Sequence, residues 1–164
     1  MLLPSRILGM AMMSAETADT VKSGFLAAVP FARTLGVEFV ELDHGRAVMR
    51  LPDSPDHHNH VGGPHAGAMF TLAESASGAV VIGTFGDQLD RAVPLAVKAE
   101  IHYHKLATGD VVADARIGRT RKEVVAELDA GRRPEFPVEI ELRTEDGTVT
   151  GAMTVVWTLK PGRK

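Results

Sequence analysis

The sequence predicts an α+β fold: a largely antiparallel sheet of about six strands, curved around one long apolar helix, with a further helix at the N-terminus. Three observations predict it. The segment from His65 to about Gly83 reads as a helix that is apolar nearly all round. Two short alternating segments precede it and about four follow it. Strands grouped in runs, rather than alternating strictly with helices, belong to α+β architectures. At 164 residues the chain is one domain by length, large enough to bury a substantial core.

The elements follow in order. The opening MLLPSRILGMAMMSAE carries one basic residue and an apolar run too short for a signal-peptide core. Met10, Met12 and Met13 are further candidate starts, so residues 1–14 are expected to be a disordered extension and residues 15–160 the domain. From Ala15 to Thr34, Val21, Phe25, Leu26 and Val29 recur at helical spacing, with Pro30 interrupting them. Strands are expected over residues 37–40 and 47–51, joined by a hairpin at Asp43-His44-Gly45. Residues 52–64, PDSPDHHNHVGGP, hold three prolines and two glycines and form a loop.

After the apolar helix, LAVKAEIHYHK alternates. Leu95, Val97, Ala99, Ile101 and Tyr103 are expected on one face, with Lys98, Glu100, His102 and His104 on the other. Val111, Ala113, Ala115 and Ile117 mark the next strand. Residues 121–136 are a short helix or ordered loop ending near Gly131. A hairpin over Asp146-Gly147, strong two-residue turn chemistry, closes the chain.

Composition removes several function classes. A net charge of -3 and a pI near 6.1 give no electrostatic footprint for nucleic acid or an anionic membrane. The absence of cysteine rules out a disulfide framework, a thiol nucleophile and a Cys-ligated metal, and fits a cytoplasmic protein. No stretch is expected to reach the roughly 20 apolar residues of a membrane span.

The apolar helix is rich in small residues, among them Ala66, Gly67, Ala68, Ala73, Ser75, Ala76, Ser77, Gly78 and Ala79. A narrow helix lets a curved sheet wrap it closely. One stripe is Met69, Leu72, Ala73, Ala76 and Val80; Phe70, Ser77 and Val81 on another side are hardly polar. Such a helix needs cover all round, and a second subunit is natural cover for what one sheet leaves open.

Glu74 stands alone in this setting. A buried carboxylate pairs, accepts hydrogen bonds or holds its proton more tightly. The sequence leaves open a carboxylate that reaches an exposed edge or a basic partner, and one that serves a site. His65 and Glu74 are nine residues apart, roughly half a turn out of phase with about 13.5 Å of rise. A site using both therefore needs two copies of the chain. At the helix start, N–H groups near Ala66 and Gly67 lack intrahelical acceptors and sit at the positive end of the dipole, ready donors for a developing oxyanion. Gly67 either admits a ligand to the backbone or packs tightly.

These residues resemble the hotdog-fold acyl-CoA thioesterases, specifically the PaaI-like (phenylacetate-pathway type) group. That pattern is Asn, then His-Gly-Gly six residues on, then Asp or Glu nine residues after the His. Asn59, His65-Ala66-Gly67 and Glu74 keep both spacings. The likeness in element order runs from about Gly36 to Leu159. It implies a hotdog fold and hydrolysis of an acyl-CoA thioester. Glu74 would be general base or nucleophile, and the Gly67 N–H would bind the thioester carbonyl. Asn59 would orient water or substrate, and His65 would help position the carbonyl and the loop. Ala66 and Phe70 would line the substrate. Ala66 replaces the first Gly of the pattern but keeps its N–H. Ala96 stands where many relatives carry a Ser or Thr that holds the attacking water, which keeps a non-catalytic acyl-CoA binding protein as the alternative. The resemblance also implies a homodimer, or a dimer of dimers, in which loop and helix start come from one subunit and the acid from the other.

Three other signals read as structural. Asp56, His57, His58 and His60 are loop neighbours rather than convergent ligands, so neither metal nor cofactor is expected, coenzyme A entering only as part of the substrate. Ser75 and Ser77 lack a nucleophile-elbow context and are expected to pack the helix. Arg119, Arg121, Lys122, Arg132 and Arg133 are either a solvated basic edge or a contact for coenzyme A phosphates.

Overall fold

The computed structural model describes residues 11–162. Of the expected extension, residues 1–10 lie outside the described residues. The Met13 N–H donates to Asp43 Oδ1 at 2.7 Å, and the Ser14 hydroxyl accepts from the Thr17 N–H at the start of the first helix. That helix, α1 (Ala15–Ala28), buries Ala18 and Phe25. Pro30 lacks an N–H to continue it and instead opens a second helix, α2 (Pro30–Leu35). Gly36, at φ 77°, ends α2 in the left-handed conformation.

Strands β1 (Glu38–Asp43) and β2 (Arg46–Leu51) form the first hairpin. The long helix α3 (Ala66–Phe85) follows, then β3 (Ala92–Tyr103), β4 (Val111–Ile117), the short helix α4 (Arg121–Asp129), β5 (Glu135–Thr144) and β6 (Val149–Pro161). Thr120 and Glu123 close a capping box at the start of α4. The β5–β6 turn is tied by Asp146, whose carboxylate accepts from the Thr144 hydroxyl and the Thr148 N–H. Those bonds hold its pKa down at about 2.

The six strands form one antiparallel sheet in the order β1-β2-β4-β5-β6-β3. It wraps α3, which packs mainly on β2, β4 and β5 and is crossed by α1. This is the expected hotdog architecture. The small side chains of α3 serve the close fit: a Cβ at Gly78 would lie 3.5 Å from Phe25 and 3.6 Å from Trp157. Ser77 also packs, accepting from Trp157 Nε1 at 3.0 Å and donating to the Glu74 carbonyl at 2.7 Å. Against the expectation that no stretch would suffice, α3 and the turn after it are long and apolar enough to cross a membrane by length and composition. Most of that stretch is instead buried in the domain's own core.

The alternation of β3 departs from the expected one. Ala96 pairs with Trp157 but Lys98 pairs with Val156, so Val97 is an extra residue in a bulge. Directly opposed residues share a face. Ala96, Ala99 and Ile101 therefore lie on the helix side with Trp157, Val155 and Met153, while Leu95, opposite Thr158, belongs to the outer face. As a sheet edge, β3 leaves Leu95 41% and Val97 48% exposed.

Candidate active site

The loop before α3 is held by its own polar groups. Asn59 Oδ1 accepts from the N–H groups of Val61 (3.0 Å) and Gly63 (3.2 Å), and its Nδ2 donates to the Pro64 carbonyl at 3.4 Å. Asn59 thus shapes the turn that delivers the helix start. Gly63 passes so near Ala107 that an added Cβ would fall 2.5 Å from the Ala107 carbonyl oxygen. The His65 N–H donates to the His57 carbonyl at 2.7 Å, fixing the chain where it enters α3.

His65 is the N-cap residue of α3, and its Nδ1 accepts the Gly67 N–H at 2.9 Å. A neutral imidazole nitrogen does here what a Ser or Asp oxygen usually does. The donor expected to meet a substrate carbonyl, the Gly67 N–H, is therefore already engaged. Among the described residues the Ala66 and Ala68 N–H groups have no acceptor. With Nδ1 accepting, the neutral ring carries its proton on Nε2, where it remains a donor.

Glu74 lies seven residues beyond Gly67, about two turns and some 10.5 Å along the same helix face. The stripe between them, Phe70 and Thr71, is partly exposed, and Glu74 is half-buried. Among the described residues its carboxylate has no ion-pair or hydrogen-bond partner. Burial raises its pKa above the ordinary 4.5. The paired, structural reading left open by the sequence finds no partner here. Ala96 lies on the helix-facing side of β3 and is exposed.

Two residues missed in the sequence join this face. Thr71 Oγ1 donates to the Gly67 carbonyl at 2.9 Å, and Tyr103 Oη donates to the Ala66 carbonyl at 2.8 Å. Thr71 could have been found by its place one turn before Glu74; Tyr103 belongs to a distant strand and carried no such signal. A cavity of about 190 Å³ lies between loop, helix start and strand end, lined among others by Asn59, Ala66, Met69, Tyr103 and Lys105. A larger open hollow of about 750 Å³ sits at the other end of α3, beside Ile82, His44, Asp87 and Arg121, and contains none of Asn59, His65, Gly67 and Glu74.

His58 of the loop and His102 of β3 have local contacts. His58 Nε2 contacts Asp53 Oδ1 at 2.8 Å, and His102 Nε2 contacts Glu100 at 2.9 Å. Among the described residues no three His, Asp or Glu side chains gather as a metal-binding group. The basic side chains are largely committed: Arg119 to Glu127, Arg121 to Asp87 and Arg133 to the Thr158 hydroxyl.

Residues 17–159 match the family model described as a domain of unknown function, DUF4442. The chain belongs to the DUF4442 family. No curated protein matches it. Solved structures match this DUF4442 domain with the same fold. A Pseudomonas aeruginosa protein of unknown function, also named "Probable Thioesterase", has 25% identity and a TM-score of 0.79, covering 88% of this chain and 95% of its own. A "Thioesterase family protein" from Silicibacter pomeroyi has 20% identity and a TM-score of 0.71, covering 89% and 99%. Escherichia coli PaaI, from the phenylacetic acid degradation operon, has 15% identity and a TM-score of 0.70, covering 90% and 96%. The resemblance read from Asn59, His65 and Glu74 thus holds at the level of fold.

Proposed function

We propose that this DUF4442 domain hydrolyses an acyl-CoA thioester to the free acid and coenzyme A, as a cytoplasmic homodimer and without metal or cofactor. The observation that carries the reading is Glu74, a half-buried carboxylate without a partner among the described residues and with a raised pKa. Within one chain it stands about two turns, some 10.5 Å, from the α3 N-terminus, so the N–H donors that serve it come from a second copy. As base, Glu74 takes a proton from water; the hydroxide adds to the thioester carbon, the C–S bond breaks and coenzyme A leaves as thiol. As nucleophile, the Glu74 carboxylate attacks the thioester carbon, the C–S bond breaks and coenzyme A leaves as thiolate, and water then cleaves the mixed anhydride to the free acid and the Glu74 carboxylate. The carbonyl oxygen is received at the α3 N-terminus, where the Ala66 N–H is the available donor. The names of the structural relatives support the reaction class.

Nine residues separate His65 from Glu74, about 13.5 Å and roughly half a turn out of phase along α3, so the site draws them from two copies. The open β3 edge, with Leu95 and Val97 exposed, is the surface along which a second sheet would pair. The alternative, binding without turnover, is favoured by one feature: Ala96 offers no hydroxyl to hold water. Thr71 supplies a hydroxyl on the Glu74 stripe instead. Release of free thiol from a panel of acyl-CoAs tests the proposal. Saturable turnover supports hydrolysis, and saturable binding with no thiol release supports the alternative.

A further inference from the structure

One peptide unit at the start of α3 is held from both ends. Its carbonyl, that of Ala66, accepts from Tyr103 Oη at 2.8 Å. Its N–H, that of Gly67, donates to His65 Nδ1 at 2.9 Å. Hydrogen bonds in series through an amide polarise one another: a donor on the carbonyl makes the N–H on the same unit a better donor. A stronger N–H donor, in turn, favours the ring form in which Nδ1 bears the lone pair and Nε2 bears the proton.

We infer that Tyr103 is a positioning residue that fixes the tautomer and orientation of His65 through the Ala66–Gly67 peptide. The chain of bonds runs from the Tyr103 hydroxyl to the Ala66 carbonyl, across the amide to the Gly67 N–H, and on to His65 Nδ1. Its free end is the His65 Nε2–H, presented outward as a donor. Tyr103 is suited to the task. It is the last residue of edge strand β3, opposite Gly151, which has no side chain to crowd the phenol. Burial raises its pKa above the ordinary 10.0, so the hydroxyl keeps its proton and donates throughout the neutral range. Tyr103 also joins the β3 edge to the helix start, so a partner seated on that edge would be linked to the donors at the site. What the Nε2–H meets rests on the thioesterase reading; the tautomer does not.

The test separates the two. Tyr103→Phe keeps the ring and removes only the donor. Long-range ¹H–¹⁵N spectra of the full chain, recorded under mildly alkaline conditions without substrate, report which ring nitrogen of His65 is protonated. In the native protein the two nitrogens should be widely separated, with Nε2 protonated. In Tyr103→Phe they should move toward each other as the second tautomer gains population. On an acyl-CoA that releases thiol, kcat should fall roughly three- to tenfold, the scale of one hydrogen bond, with KM within about twofold. Unchanged His65 ring resonances in Tyr103→Phe would overturn the inference, whatever the kinetics show. A native protein that releases no thiol but shows the predicted ring shifts would retain Tyr103's role and reject the hydrolase.

Discussion

Glu74 contributes to stability and to chemistry with opposite pH dependence. Burial raises its pKa above 4.5, so the folded chain holds this proton more tightly than the unfolded chain does. Its favourable contribution is full below the unfolded value and is lost as pH rises through the raised folded value. Glu74→Gln should therefore melt at a higher temperature than the native protein at about pH 8, and the gap should close as pH falls below about 4.5. Thermal melts across pH check the sign; a variant less stable at alkaline pH would mean that the carboxylate has a partner. Activity runs the other way, because base and nucleophile both need the carboxylate. The acid limb of kcat/KM should rise with an apparent pKa above 4.5. That Glu74 is the one acid in an apolar helix was legible in the sequence; that it has no partner among the described residues was not, since a basic partner or an exposed edge stayed open. That the Gly67 N–H is already taken was not, because it depends on the His65 rotamer and on a loop whose hydrogen bonds run through Asn59.

Elements show the same division. The small residues of α3 foretold close packing, and Gly78 meets Phe25 and Trp157 at ordinary contact distance from an added Cβ. Gly78→Ala should then be tolerated or stabilising by up to about 1 kcal/mol, from helix propensity alone. Gly78→Leu, which overfills the space, should cost about 1–3 kcal/mol or more. Chemical denaturation of both variants reads the difference, and equal effects would contradict the packing. Gly63→Ala tests the loop. Its Cβ would meet the Ala107 backbone, so the Asn59–Pro64 turn must shift; the melting temperature should fall and thiol release should drop with it. The β3 bulge was not legible, because Leu95 and Val97 are as apolar as Ile101 and extend an unbroken alternation past the extra residue. The break between α1 and α2 was legible, since Pro30 cannot donate where the first helix would need it.

At the scale of the whole molecule, the order of strands and the one central helix followed from periodicity and turn chemistry. A homodimer was likewise an expectation of the sequence, from the apolar surface of α3 and the half-turn offset between His65 and Glu74. His65 and Glu74 diverge on α3, and β3 is an open edge. A stable dimer at micromolar concentration is expected by light scattering, and a persistent monomer would remove the shared site. If the site is shared, mixing inactive Glu74→Gln with inactive Asn59→Ala should restore activity, since each mixed dimer has one site with both intact residues. Exchange confirmed by mass spectrometry without recovery would place the site within one chain.

The most direct measurement is thiol release by Glu74→Gln on the acyl-CoA that the native protein turns over fastest. The amide keeps volume and hydrogen bonding but can neither take a proton nor attack as a carboxylate. General-base contributions of roughly 10²–10⁴-fold predict that kcat falls at least about a hundredfold in a variant that remains folded and assembled. Native-like turnover by Glu74→Gln would contradict the account and leave Glu74 a structural residue.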